Sequence, residues 1–281
     1  MPFTLTPEEK KILDGIQLPI CPKILVNIVT ESKKDEPNMY LISQWISEDI
    51  GIASAVLKII NSPVYARSAN IDSIAQAVML LGFSRVLSLV KTVALKTSIP
   101  AKNDLSSFWK LSTEIAQTAL NICHFLEKPE YGDTAYMLGL FHMAGIAVLL
   151  DKFDNYSAIY QNHKTTGLLE VSIEEQKLFG TTHTTLSSFI ARQWGINSAQ
   201  YTAVYYIYDC EGIFDSSELN EESLTLLSVL KIARKCIFMR HNIEHEAEWN
   251  NVKDSIEKFL QIDESDIDEL IDQAEQHFDN N

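Results

Sequence analysis

His142 stands inside the apolar stretch "MLGLFHMAGIAVLL" (137–150), followed directly by Met143. It is one of seven histidines, with His124, His163, His183, His241, His245 and His277. A hydrolytic metal centre needs several imidazole or carboxylate ligands converging around an open position for water. Isolated histidines such as His124, His163 and His277 do not meet that requirement. The segment "HNIEH" (241–245) matches H-x-x-E-H, in which two histidines four apart share a helix face beside a glutamate base. Only three of its positions are fixed, and it opens a strongly acidic stretch with no apolar run to dry a catalytic zinc. It reads as a polar stretch between helices, with Glu248 the nearest candidate for a third ligand. The chain has no G-x-S-x-G elbow, no G-x-x-x-x-G-K-[ST] phosphate loop and no G-x-G-x-x-G.

The elements that must position these residues read as helices throughout. "TPEEKKIL" offers Thr6, Pro7 and Glu9 as a helix start, and "SIEEQKLFG" offers Ser172 with Glu175 as a capping box and Gly180 as a stop. Asp49, Asp72, Asp104 and Asp133 each precede an apolar-periodic run, as N-caps do. Phe108, Leu111, Ile115, Ile122 and Leu126 recur at helical spacing, and Ile267, Leu270, Ile271, Ala274 and Phe278 give a terminal helix one apolar face that should dock on the body. The expected fold is all-α. Breaks at 98–104 and 210–223 suggest an N-terminal helical subdomain (1–100), a second helical subdomain (101–240) and an acidic helical extension (241–281).

Composition narrows the function classes. The apolar run Ala135–Leu150 is 16 residues long and flanked by Asp133 and Asp151, so it reads as a buried core helix. No basic region with an apolar core follows the first residue, and a cytoplasmic location is expected. Cys21, Cys123, Cys210 and Cys236 never pair as C-x-x-C and read as reduced core thiols. The formal charge is -15, and residues 244–281 hold 13 carboxylates against Lys253 and Lys258. Such a surface repels phosphate backbones, so neither nucleic acid nor membrane is an expected partner.

One longer pattern is more specific. "QLPICPKILVNIV", then "ISEDIGIASAVLKIINSPVYARSANIDSIAQAVMLLGFSRVLSLVKTVAL", places Leu18, Pro19, Pro22, Asp49, Leu57, Asn61, Ser62, Tyr65, Ile71, Ser73, Ile74, Ala77, Leu81 and Gly82 in the order of L-P-x-x-P, D-P-x-L-x-x-x-L-L-x-x-x-N-S, I-x-S-I-x-x-A-I and L-G. "SFWKLSTEIAQTAL", "YMLGLFHMAGIAVLL", "EEQKLFGTTHTTLSSFIARQWGI" and "AVYYIYDC" extend the agreement. In these residues the chain resembles the HDOD family, the HD-related output domains of bacteria, over roughly 15–240.

The resemblance implies a two-lobed all-α fold related to the HD metal phosphohydrolases, and a signalling output or scaffolding role without catalysis. It places His142 at the paired histidine of the HD site and Met143 at its aspartate. Leu111 falls near the preceding ligand position, His183 on a retained histidine, and Ile207 and Tyr208 on a downstream histidine pair. A thioether cannot supply the hard anionic oxygen a Mg, Mn or Fe site needs, so no catalytic residue, metal or cofactor is expected. His142 is expected to bond a neighbouring backbone carbonyl or His183. "NSPVYARSANIDS" is expected as a hinge-side element, with Asn61 and Ser62 ending their helix and Arg67 and Arg85 as cations open to a partner or ligand. The partner would be a signalling protein, with a small nucleotide in the old metal cavity, or residual phosphohydrolase activity, as alternatives.

Overall fold

The structure, a computed structural model, describes residues 16, 18–61, 71–99, 105–208 and 212–279. The Thr6–Glu9 cap, Ser62, Pro63, Tyr65, Arg67, Asp104 and Cys210 lie outside the described residues. Among those described, helices and turns account for the regular structure and no strand occurs. The described residues form two compact units: 19–61 with 71–99, and 16 and 18 with 105–208 and 212–279.

The first unit holds α1 (Lys23–Ser32), α2 (Met39–Glu48), α3 (Ile50–Ile60), α4 (Ile74–Leu81) and α5 (Phe83–Ser98). Leu25, Ile28, Ile42, Ile46, Val56, Ile60, Ala77 and Leu89 recur on inward helix faces and are buried together as its core. Asp49 caps α3 as its sequence context predicts, accepting from Ile52 N–H at 3.0 Å. At α4 the cap is Ser73, one residue beyond Asp72, because its hydroxyl reaches Gln76 N–H. Asn61 ends α3, and its side chain both donates to Ile71 O and accepts from Ile71 N–H, each at 2.8 Å. One amide therefore ties the end of α3 to the approach to α4.

The second unit holds α6 (Ser106–Phe125), α7 (Gly132–Phe141), α8 (Ala144–Lys152), α9 (Tyr156–Gln161), α10 (His163–Phe179), α11 (His183–Gln193), α12 (Ser198–Tyr205), α13 (Glu221–Arg240), α14 (Glu246–Asn250), α15 (Lys253–Leu260) and α16 (Glu264–Asp279). The long amphipathic helix expected around Leu111 is α6, packed against α7 and α13. The acidic terminal helix is α16, and it docks on α13 through buried Ile267, Leu270, Ile271 and Ala274.

Three local expectations are corrected. Asp133 is not a cap but lies in the first turn of α7. Ser172 does not start a helix: α10 begins at His163, kinks at Gly167 (φ 83°), and Ser172 lies past that restart, while Glu175 turns to other partners. The apolar run through 150 is two buried helices rather than one, separated at His142 and Met143. There the His142 Nδ1–H donates to Gly139 O at 2.7 Å, taking the carbonyl that a continuing helix would offer to Met143 N–H.

Candidate functional site

Two close approaches position the site. A Cβ on Gly139 would sit 2.5 Å from Ala116 Cα, so α7 lies directly on the α6 backbone. A Cβ on Gly145 would sit 2.1 Å from His183 O, so α8 meets the first residue of α11 backbone to backbone. Gly145 N–H also donates to Ser187 Oγ at 2.8 Å. These contacts bring the end of α7, the start of α8 and the start of α11 together, and with them His142, Met143 and His183.

His183 is fully buried and is held from both sides of its ring. Glu175, at the end of α10, accepts from His183 Nδ1–H at 2.8 Å and from His183 backbone N–H at 2.7 Å. Tyr156 of α9 donates its hydroxyl to the other oxygen of Glu175. Burial, then the Glu175 charge, push the Tyr156 phenol well above its ordinary range, so it stays a donor. With Nδ1 carrying the proton, His183 Nε2 is an acceptor, and Tyr208 O–H donates to it at 3.1 Å.

The Tyr208 oxygen in turn accepts from Arg234 Nη2–H at 3.0 Å. Arg234 lies on α13 and is 1% exposed. It grips Glu248 of α14 through Nε (2.8 Å) and Nη2 (2.6 Å), and Lys231 Nζ donates to the same carboxylate at 3.0 Å. Burial works against the Glu248 charge, yet Arg234 and Lys231 hold its pKa down at about 2. The carboxylates of Glu175 and Glu248 and the cations Arg234 and Lys231 are thus joined through one buried chain of hydrogen bonds, as buried charges require.

His142 is 1% exposed. Burial first, then the Arg234 charge, lower its pKa well below the ordinary range, so the ring is neutral and its Nε2 carries a lone pair with no hydrogen-bond partner. Met143 (0% exposed), Ile207 and Leu111 are buried apolar fill. Among the positions that the family resemblance marks, then, His142 and Met143 adjoin the start of α11, and His183 bonds Tyr208. Leu111 sits on α6, against which α7 packs. Arg85, half-buried on α5, belongs to the other unit.

These residues do not fit a divalent metal. His183 Nε2, the ring atom left for a ligand bond, is capped by a phenol. No carboxylate stands at position 143, and a guanidinium acts on both His142 and the Tyr208 hydroxyl. A fixed cation at that place repels a second one. Among the described residues, no three His, Cys, Asp or Glu side chains converge as a metal cage. "HNIEH" forms no zincin face either: His241 caps the end of α13 and pairs with Glu114 of α6, whereas His245 caps the start of α14 and bonds Ile243 O at 2.8 Å.

Four of the residues that define the site were not singled out for it by sequence spacing: Tyr156, Glu175, Lys231 and Arg234. A usable signal existed for two of them. In "SVLKIARKCIF" Lys231, Arg234 and Lys235 interrupt an otherwise apolar run, and a cation that such a run buries requires a buried partner.

The HDOD domain model matches residues 18–210. "Uncharacterized protein YuxH" of Bacillus subtilis (strain 168) is 30% identical over 88 residues, which are 31% of this chain and 22% of that protein. The match thus spans less than a quarter of that relative's length. A candidate signal transduction protein from Marinobacter aquaeolei VT8 superposes with a TM-score of 0.71 at 19% identity, over 99% of this chain and 60% of that one. A candidate phosphohydrolase from Shewanella amazonensis SB2B gives 0.69 at 18% identity, over 96% and 93%. At such identities the structural likeness is one of fold. The domain match covers well over half of the sequence, including His142 and His183, and on that ground the chain belongs to the HDOD family.

Proposed function

We propose that this chain is a non-catalytic signal-transduction component of the cytoplasm, an output or scaffold element that works through contacts with signalling proteins. The observation that carries the reading is the substitution of chemistry in the remnant. Where an HD hydrolase needs a carboxylate and open imidazole nitrogens, this chain has Met143, a phenol on His183 Nε2 and the buried guanidinium of Arg234. Such a set cannot lower the pKa of a bound water toward neutrality, which needs a Lewis-acidic cation and an open position. Membership of the HDOD family and likeness to the Marinobacter protein support the signalling half of the reading. The acidic surface argues against nucleic acid as the partner. A nucleotide in the remnant is not favoured, because His142 and His183 are 1% and 0% exposed.

The test is elemental analysis of protein purified without chelator or metal-affinity resin, followed by phosphodiesterase assays with added Mn and Fe. We expect no stoichiometric metal and no turnover above that of His142→Ala. Turnover that needs metal and disappears in His142→Ala overturns the reading.

A further inference from the structure

Lys231, Arg234 and Lys235 recur at three- and four-residue spacing on α13 and so lie along one helix face. With Phe238 of the same helix and with His245, Glu248 and Trp249, they line a pocket of about 10 Å³ between α13 and the α14 region. That is room for one water-sized group. Three cations face a single carboxylate in this pocket, and Glu248 is bonded to two of them. Glu175 lies farther along the hydrogen-bonded chain, beyond Tyr208 and His183. Lys235 is half-buried, with Nζ 5.2 Å from the Trp249 ring centroid. Glu264, whose charge acts on Lys235, is itself bound to Lys253 at 2.8 Å.

Arg234 supplies the second observation. Its Nε and Nη2 are committed to Glu248 and Tyr208, and its Nη1 is buried with no acceptor. A guanidinium N–H left unpaired in the interior carries a desolvation cost that any acceptor relieves. A water would fill the hydrogen bond but leave the excess of positive charge. An anionic oxygen answers both, and guanidinium with phosphate is a strong charge-assisted pair. The pocket admits one such oxygen, so the rest of the group must stay at the mouth, beside Lys235 and Trp249.

We propose that this pocket is a binding site for a phosphate group, free or as a monoester, with one oxygen on Arg234 Nη1 and the remaining charge on Lys235. The site does not depend on whether the HD remnant is catalytic. The net charge of -15 opposes anion approach, so affinity is modest, with a Kd of about 1 mM expected.

Isothermal titration of the full chain with inorganic phosphate, adenosine monophosphate, acetate and chloride at matched ionic strength tests this. Saturable one-to-one binding of phosphate is the expected result, with acetate and chloride at least tenfold weaker. Binding by phosphate alone assigns the free ion, and binding by both phosphate and the nucleotide assigns the group on a larger molecule. Lys235→Glu should weaken binding at least tenfold while its unfolding midpoint in chloride stays unchanged. Should that variant fold poorly, Lys235→Met provides the same comparison. Phosphate binding no stronger than acetate, or binding that Lys235→Glu and Lys235→Met leave intact, overturns the proposal.

Discussion

Glu175 and His183 meet twice: one carboxylate takes both the backbone N–H and the ring Nδ1–H of the same histidine, at 2.7 and 2.8 Å. The turn between α10 and α11 is thereby closed by a side chain, and the imidazole is fixed in one tautomer. Glu175→Gln removes the charge and turns one of the two acceptors into a donor. We expect a loss of about 2–3 kcal/mol in urea unfolding, because a fully buried bond to a charged group is disrupted. Tyr156→Phe, which removes a single donor, should cost about 1 kcal/mol. Nitrogen-15 shifts of His183 should report Nδ1–H in the parent and a mixed tautomer in Glu175→Gln.

Arg234 and Glu248 form the other anchor. Arg234→Met leaves Glu248 with Lys231 alone and removes a donor from Tyr208, so a cost of about 3–5 kcal/mol is expected. Glu248→Leu strands two buried cations and should cost at least as much. Replacing Lys231, Arg234 and Glu248 together by Met, Met and Leu should recover most of the loss, since an apolar trio carries no buried charge. A double-mutant cycle in urea checks whether Arg234 and Glu248 couple; coupling below about 0.5 kcal/mol would contradict the geometry.

His142 makes stability depend on pH with a definite sign. Its folded-state pKa is depressed by burial and by Arg234, so the unfolded chain binds a proton that the folded chain does not. Stability from this group is complete above the unfolded value of about 6.5 and is lost as pH falls below it, by about 1.4 kcal/mol per pH unit. His163, lowered chiefly by burial, acts in the same direction. Glu248, held at about 2, adds its own loss only below its ordinary carboxylate value. Urea titrations between about pH 7.5 and pH 5 should show the parent weakening, and His142→Gln should flatten that slope.

The Asn61 side chain makes both of its hydrogen bonds to one residue, Ile71. Asn61→Ala should cost about 1–2 kcal/mol. Hydrogen exchange should locate the effect, with Ile71 N–H losing protection while the core of the 101–279 unit is unchanged.

Much of this architecture was legible in the sequence because periodicity and capping are local. The α6 stripe through Leu111 and Ile115, the Asp49 cap and the docking face of α16 needed nothing beyond neighbours three or four residues apart. The backbone carbonyl expected as the partner of His142 is that of Gly139, whereas the partners of His183, Glu175 and Tyr208, were not anticipated. The misreadings share one cause. Glu175 looks like a capping residue because Ser172 stands three positions before it, and only the fold shows His183 N–H drawing its carboxylate away. His142 looks like the middle of a helix because the run around it is apolar, and its bond to Gly139 O ends the helix there. Arg234 and Glu248, separated by 14 residues and a helix end, had no local pattern to announce their pairing.

Arg234 has a further consequence for what counts as an autonomous piece of this molecule. The stretch that matches the domain model ends at residue 210, but the guanidinium that completes the His183–Tyr208 contact comes from α13, which begins at Glu221. An excised 18–210 fragment would carry every residue by which its ancestry is recognised. It would also leave Tyr208 without its donor and the α6 face that receives α13 open to water. The stretch that the domain model marks is therefore shorter than the set of residues that complete its buried contacts.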